Sequence, residues 1–289
     1  MGMQPKKAVK EEATAKKKAI SSKMIVIVAF LLIVTSIVGF IVYQHYQTAK
    51  MEAARLEDAY QKAINIKESG DYVTAVDLFV ELGDYKDSVS MIQECYDAQS
   101  LENLQVLYQA IDTIYQLDNK LVNMVSTVIS NVDKINSAGT KLQTRTNWAI
   151  SSLYSGGSHR AYAKCSAYDL ASITAYFPSV QVSKGTVYYE AYIPLFGQEE
   201  SQEFTDSIQS ATSLLEEIEN TITDTENLSD MYQEVQQQLL LAYEALKDYH
   251  SFVASEPTDY ENYDTTATQK KAAVDDFLKN LPSTVKTNK

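Results

Sequence analysis

The chain has 289 residues, a net charge of -13, two cysteines and three histidines. An acidic chain of this kind lacks the basic footprint that nucleic acid requires, and two thiols cannot build a disulfide framework. The charge is divided unevenly. Setting aside the seven lysines and two glutamates of residues 1–23 leaves 18 basic and 36 acidic residues, about -18 for the remainder.

Residues 1–23 read as a basic tail, with Lys6, Lys7, Lys10, Lys16, Lys17, Lys18 and Lys23 against Glu11 and Glu12. Met24 to Tyr43 is an uncharged apolar run. As a helix it is roughly 30 Å long, the thickness of a bilayer's hydrocarbon core. It exceeds the apolar core of a cleaved signal, and the nearest small-residue cleavage pattern, at Thr48 to Met51, is poor. The reading is a retained transmembrane helix. The lysine excess before it places the N-terminus in the cytoplasm and the acidic bulk outside the cell, at the plasma membrane. Thr35 and Gly39 form a small-xxx-small pair, a signal for a homo-oligomer formed through the span.

From Met51 to Ile66 apolar and small residues recur at helical spacing. Gly70 then stops the helix, and Asp71 is placed to cap the next one, whose inner face carries Ala75, Val76, Leu78, Phe79 and Leu82. Gly83 and Asp84 repeat that device, and a third helix begins around Tyr85 to Ser88 with Val89, Ile92, Cys95 and Tyr96 inward. The series Tyr60, Ala63, Gly70, Tyr72, Ala75, Phe79, Gly83, Asp84 resembles a tetratricopeptide-type (TPR-like) helix hairpin of the sort found in membrane proteins of Gram-positive bacteria. The resemblance covers residues 51–97. It implies protein–protein contact or spacing, with no catalytic residues and no cofactor.

Residues 98–281 read as an elongated helical bundle. Ile114, Leu121, Val128, Ile135 and Leu142 recur every seven residues, with Ile111, Val125 and Val132 beside them, a seam suited to bundles and coiled coils. Trp148 reads as a packing residue on a continuation of this helix. After the Gly156-Gly157 loop, a short helix is expected over about His159 to Tyr176. The pattern then shifts to period two. Val180 and Val182, a turn at Ser183-Lys184-Gly185, and Val187, Tyr189, Ala191 and Ile193 predict a β-hairpin over about 180–193. Its other face carries Tyr188, Glu190 and Tyr192, the candidate partner-binding residues, because tyrosine suits interfaces.

Two helices follow, lined by Ile208, Ala211, Leu215, Ile218 and Ile222 and by Leu228 to Val253 at helical spacing. The short link around Thr223 to Asn227 predicts an antiparallel pair. A last helix, about Thr266 to Leu281, is expected to bury Ala273, Phe277 and Leu281, and 282–289 to be a disordered tail. Cys95 and Cys165 can pair or serve as two small apolar side chains, and both readings stay open. His159 and Cys165 lack the spacing and the third group of a nucleophile pair. No metal spacing, phosphate loop or nucleophile elbow is present.

The fold class expected is therefore mainly α: a transmembrane helix, a TPR-like hairpin and a helical bundle carrying one small β-hairpin. The functional expectation is a non-enzymatic scaffold, without cofactor or metal. Its partners would be membrane lipid and envelope proteins. The alternative is a ligand-sensing or regulatory accessory subunit acting through a membrane partner.

Overall fold

The computed structural model describes residues 22–137, 141–142, 146–185, 188–222 and 230–286. It is mainly helical with one small antiparallel sheet, and it divides into two compact units, residues 1–65 and 66–289. Helix α1 runs from Ser22 to Glu68 without a break, so the apolar run and the segment from Met51 form one helix rather than two. It is long and apolar enough to cross a membrane. Within the run, Thr35 Oγ1 donates to Leu31 O at 2.9 Å and Ser36 Oγ to Leu32 O at 2.7 Å. The two hydroxyls are thus satisfied inside the helix, as lipid demands. Tyr60 and Ala63, further along α1, are buried.

The 66–289 unit starts with two turns that the sequence marks. Gly70 has φ +89°, which a side chain would strain. Asp71 accepts a hydrogen bond from Thr74 N at 3.1 Å and caps α2 (Tyr72–Leu82). Ala75, Val76, Phe79 and Leu82 are buried along α2, and Gly83, at φ +57°, ends it. The expectation for Asp84 fails: it is an exposed turn residue, and α3 starts only at Ser88. Three further residues intervene, among them Lys86 at φ +51°. Cys95 is buried and Ile92 and Tyr96 half-buried as expected, but Val89 is exposed and Ser88 is buried in its stead. Ser88 can be buried because its Oγ donates to Tyr85 O at 2.7 Å.

Helix α3 (Ser88–Ser137) is the central element. Its seam is buried at Ile111, Ile114, Leu121, Val125, Val128, Val132 and Ile135. Packed on it are α6 (Gln198–Ile222), α7 (Asp230–Ala254) and α8 (Tyr263–Lys279). Thr212 meets His250, Leu215 meets Tyr243, and Glu219 meets Lys247. These contacts tie α6 to α7 side by side, and the link at Thr223 to Asn227 lies outside the described residues. Tyr263, Ala267, Val274 and Leu278 are the buried positions of α8, Phe277 is half-buried and Ala273 is exposed. Leu281 is buried as expected, so the expectation fails only at Ala273, since alanine fits either side of a helix. The expected tail is partly ordered: α9 (Ser283–Lys286) buries Val285 against the bundle core, and Gln105 Nε2 donates to Thr284 O at 2.7 Å.

Between α3 and α6 lies a small α/β lobe. It contains β1 (Lys141–Leu142), α4 (Thr146–Tyr154), β2 (His159–Cys165), α5 (Ala167–Tyr176), β3 (Gln181–Lys184) and β4 (Tyr189–Phe196). All strand pairs are antiparallel, in the order β1-β2-β4-β3. Three expectations change here. Leu142 belongs to a strand, not to the α3 seam. His159 to Cys165 is a strand, not the first half of a helix. Trp148 is 54% exposed rather than packed in the core. The hairpin of β3 and β4 is therefore half of a four-stranded sheet. One face of that sheet closes a separate small core, in which Ala161, Cys165, Ala191 and Ile193 meet Ile135 of α3 and Ile173 of α5. Ser166 separates β2 from α5 through a capping box: its Oγ accepts from Asp169 N at 3.2 Å, while its own N–H donates to Asp169 Oδ2 at 3.3 Å.

Candidate partner-binding face

Strand β4 alternates as its sequence predicts. Ala191 and Ile193 are buried, while Tyr192 points the other way and is 40% exposed. The register places Tyr162 of β2 opposite Tyr192, Lys164 opposite Glu190 and Arg160 opposite Pro194. On the other side, Ser183 of β3 faces Glu190 and Gln181 faces Tyr192. The outer face is thus built from cross-strand pairs, the unit of sheet stabilisation. The Tyr162 and Tyr192 ring centroids lie 5.1 Å apart with planes tilted by 50°. The Tyr162 hydroxyl is pushed up to about 12 by desolvation first, and then by its hydrogen bond to Glu190 and that residue's charge. Ser183 Oγ donates to Glu190 Oε2 at 3.5 Å, a long and weak contact.

Tyr188 sits just before β4 and is 57% exposed. Its carbonyl accepts the N–H of Gly185 at 2.8 Å and draws the hairpin loop together. A Cβ at Gly185 would stand 2.8 Å from that oxygen, so the closure requires glycine. Val187, in the same loop, lies outside the described residues.

Exposed aromatic rings are concentrated in this lobe. Trp148, Tyr168, Tyr176, Tyr188 and Tyr192 are all exposed, Tyr168 by 82%. Elsewhere in the 66–289 unit, every aromatic side chain among the described residues is buried or half-buried. On the outer face of the sheet, Arg160 and Lys164 of β2 supply cations in register with Pro194 and Glu190 of β4. Such a surface offers amphipathic rings and charges, which suits contact with another macromolecule.

Comparison with protein-family models, with curated proteins and with solved structures finds no match to this chain.

The remaining candidate chemistry lies in the bundle. His250 is buried at the centre, with Nδ1 2.8 Å from Asp118 Oδ1 and Nε2 3.0 Å from Thr212 Oγ1. Burial pushes the Asp118 carboxyl up, with His250 opposing. The order is that of a nucleophilic relay. Thr212, however, lies in the middle of α6, where backbone N–H groups belong to the helix ladder and none turns outward to hold an oxyanion. Its Oγ1 is also 2.9 Å from Ile208 O. The geometry fits a polar tie between α3, α6 and α7. Asp118 and His250 are 132 residues apart, and no local pattern in the sequence joins them.

His159 and Cys165 stand at opposite ends of β2, about 20 Å apart at 3.3 Å per residue. His159 Nδ1 instead lies 3.1 Å from Ser152 Oγ. Cys95 and Cys165 are free and buried, and burial pushes both thiols up, away from reactivity. Gly70, Tyr72, Ala75, Phe79 and Gly83 sit in or beside α2 as turn and packing residues, while Asp84 touches solvent.

Proposed function

We propose that this chain is a single-pass interaction scaffold of a bacterial cell envelope. Its basic tail stays in the cytoplasm, and the 66–289 unit works outside the membrane. The observation that carries the reading is the concentration of exposed aromatic rings on the α/β lobe. Burying such rings on a partner yields large contact area for few lost rotamers. The orientation rests on the lysine excess before the span. The TPR-like resemblance of residues 51–97 adds an expectation of protein contact, and the acidic surface keeps the unit soluble and off anionic surfaces. The chain contributes no catalysis and uses no cofactor.

Site-specific photocrosslinking in intact cells tests this. A crosslinker at Tyr192 or Tyr188 is expected to capture defined partner proteins, whereas one at exposed Ala272 of α8 captures none of them. Equal capture at all three positions refutes the assignment of the face. Cleavage of the 66–289 unit by protease added to whole cells checks the orientation, and protection overturns it.

A second reading, a ligand-sensing or regulatory accessory subunit, has one observation in its favour. A cleft of about 310 Å³ opens between the end of β4 and helices α3, α4 and α6.

A further inference from the structure

The cleft beside the end of β4 has an apolar floor and an acidic flank. Val128, Leu153 and Phe196 are buried at its base, and Met124 and Leu195 are half-buried. Its rim carries Lys120 and Glu200. A second depression, of about 440 Å³, lies along the same pair of helices and is lined by Leu117 of α3 and by Glu199, Glu203 and Asp206 of α6. Lys120 forms an ion pair with Glu203 across the two helices. Among the residues lining the two depressions, four carboxylates face one cation. None of the four is buried, so each stays hydrated and can exchange partners at low cost.

From this we infer that the α3–α6 groove is a second docking site, for a protein segment that carries one bulky apolar side chain followed by lysines or arginines. The cavity volume is at the lower end of the usual range for binding pockets, roughly 300–1,000 Å³, and matches a single phenylalanine or leucine anchor. Anchor and charge act differently. The apolar side chain supplies affinity by leaving water, and the carboxylates select a cationic neighbour and reject an acidic one. Glu200 accepts from Gly197 N and Asp206 from Gln202 Nε2 at 2.9 Å, yet these donors carry no charge, so an acidic or neutral segment would leave the excess negative charge of the flank uncompensated. This site is separate from the aromatic face of the sheet and does not depend on that face binding anything.

The test uses the full chain in detergent micelles and a fluorescent probe peptide containing Phe-Gly-Lys-Lys, followed by anisotropy. Saturable binding is expected, weakening several-fold as ionic strength rises to the physiological range. Replacing the peptide's lysines by glutamates, or its phenylalanine by serine, should weaken binding by at least about tenfold. The triple variant Glu200→Gln, Glu203→Gln, Asp206→Asn should do the same while leaving the thermal midpoint within a few degrees, because all three side chains are exposed. Asn123→Trp, at the exposed rim, should block the anchor. The pair Tyr188→Ala, Tyr192→Ala should leave peptide binding unchanged, which separates this site from the sheet face. Equal binding of the acidic peptide, full binding by the triple variant or by Asn123→Trp, or no binding at millimolar peptide overturns the proposal.

Discussion

Tyrosine is used in opposite ways in the helical bundle and in the α/β lobe. In the bundle Tyr115, Tyr243, Tyr249 and Tyr263 are buried. Three of their hydroxyls tie helices together: Tyr115 to Asp275, Tyr243 to Leu215 O at 3.1 Å, and Tyr249 to Asn119 at 3.0 Å. Burial pushes Tyr115, Tyr249 and Tyr263 far above the ordinary phenol range. In the lobe Tyr168, Tyr176, Tyr188 and Tyr192 face solvent. The bundle encloses a large continuous core, whereas the lobe closes on six fully buried side chains. A region with so little interior must leave its larger side chains outside, which is the feature the proposed contact face rests on.

The comparison can be broken most strongly at the bundle's polar centre. His250→Ala removes the partner of a fully buried carboxylate, and a loss of about 3–5 kcal/mol is expected in denaturant unfolding. His250→Gln, which can still donate to Asp118, should lose less. Next is the lobe's own core: Ile173→Ala should cost about 2–5 kcal/mol. Hydrogen exchange should show that loss confined to residues 146–196, with the α3, α6 and α7 amides still protected. Global unfolding by Ile173→Ala would show that lobe and bundle are one cooperative unit. Ser166→Ala removes the capping box and should cost about 1 kcal/mol, again read in the lobe.

Acidity separates the two regions further. Burial holds the His159 imidazole below its ordinary value. The unfolded chain therefore takes up that proton first, and the lobe loses stability as pH falls below about 6.5. Asp118 is shifted upward, so its contribution is present at low pH and is lost as pH rises through its raised pKa. Lobe amides are thus expected to exchange faster at pH 5 than at pH 7 after correction for intrinsic rates, and His159→Phe should abolish the difference. The smallest stability effect is at the proposed contact face. Tyr192→Ala should cost less than about 1 kcal/mol, the worth of a cross-strand aromatic pair, while partner capture in cells is lost.

Much of the fold was legible. The apolar run, the glycines at 70 and 83, the Asp71 cap and the α3 seam each carry a local signal, and each stands where its signal lies. Strand β4 was legible because Ala191 and Ile193 alternate with Tyr192. Strand β2 was not. Its alanines suit a helix as well as a strand, and its strand form depends on pairing with β4 some 30 residues away. The Ser166-to-Asp169 capping box did mark the true start of α5 and could have corrected the boundary. At the candidate face, Tyr188, Glu190 and Tyr192 were readable from one strand, but Tyr162, Lys164 and Arg160 joined them only through β2.

By itself the sequence determined a helix long and apolar enough to cross a membrane, the division of charge around it and the helical periodicity, because these depend on neighbours within a few turns. Only the tertiary structure decided that His250 meets Asp118, that a hairpin is half of a four-stranded sheet, and that exposed rings gather on one lobe. Those outcomes depend on contacts between residues distant in sequence, where burial and pairing override local preference.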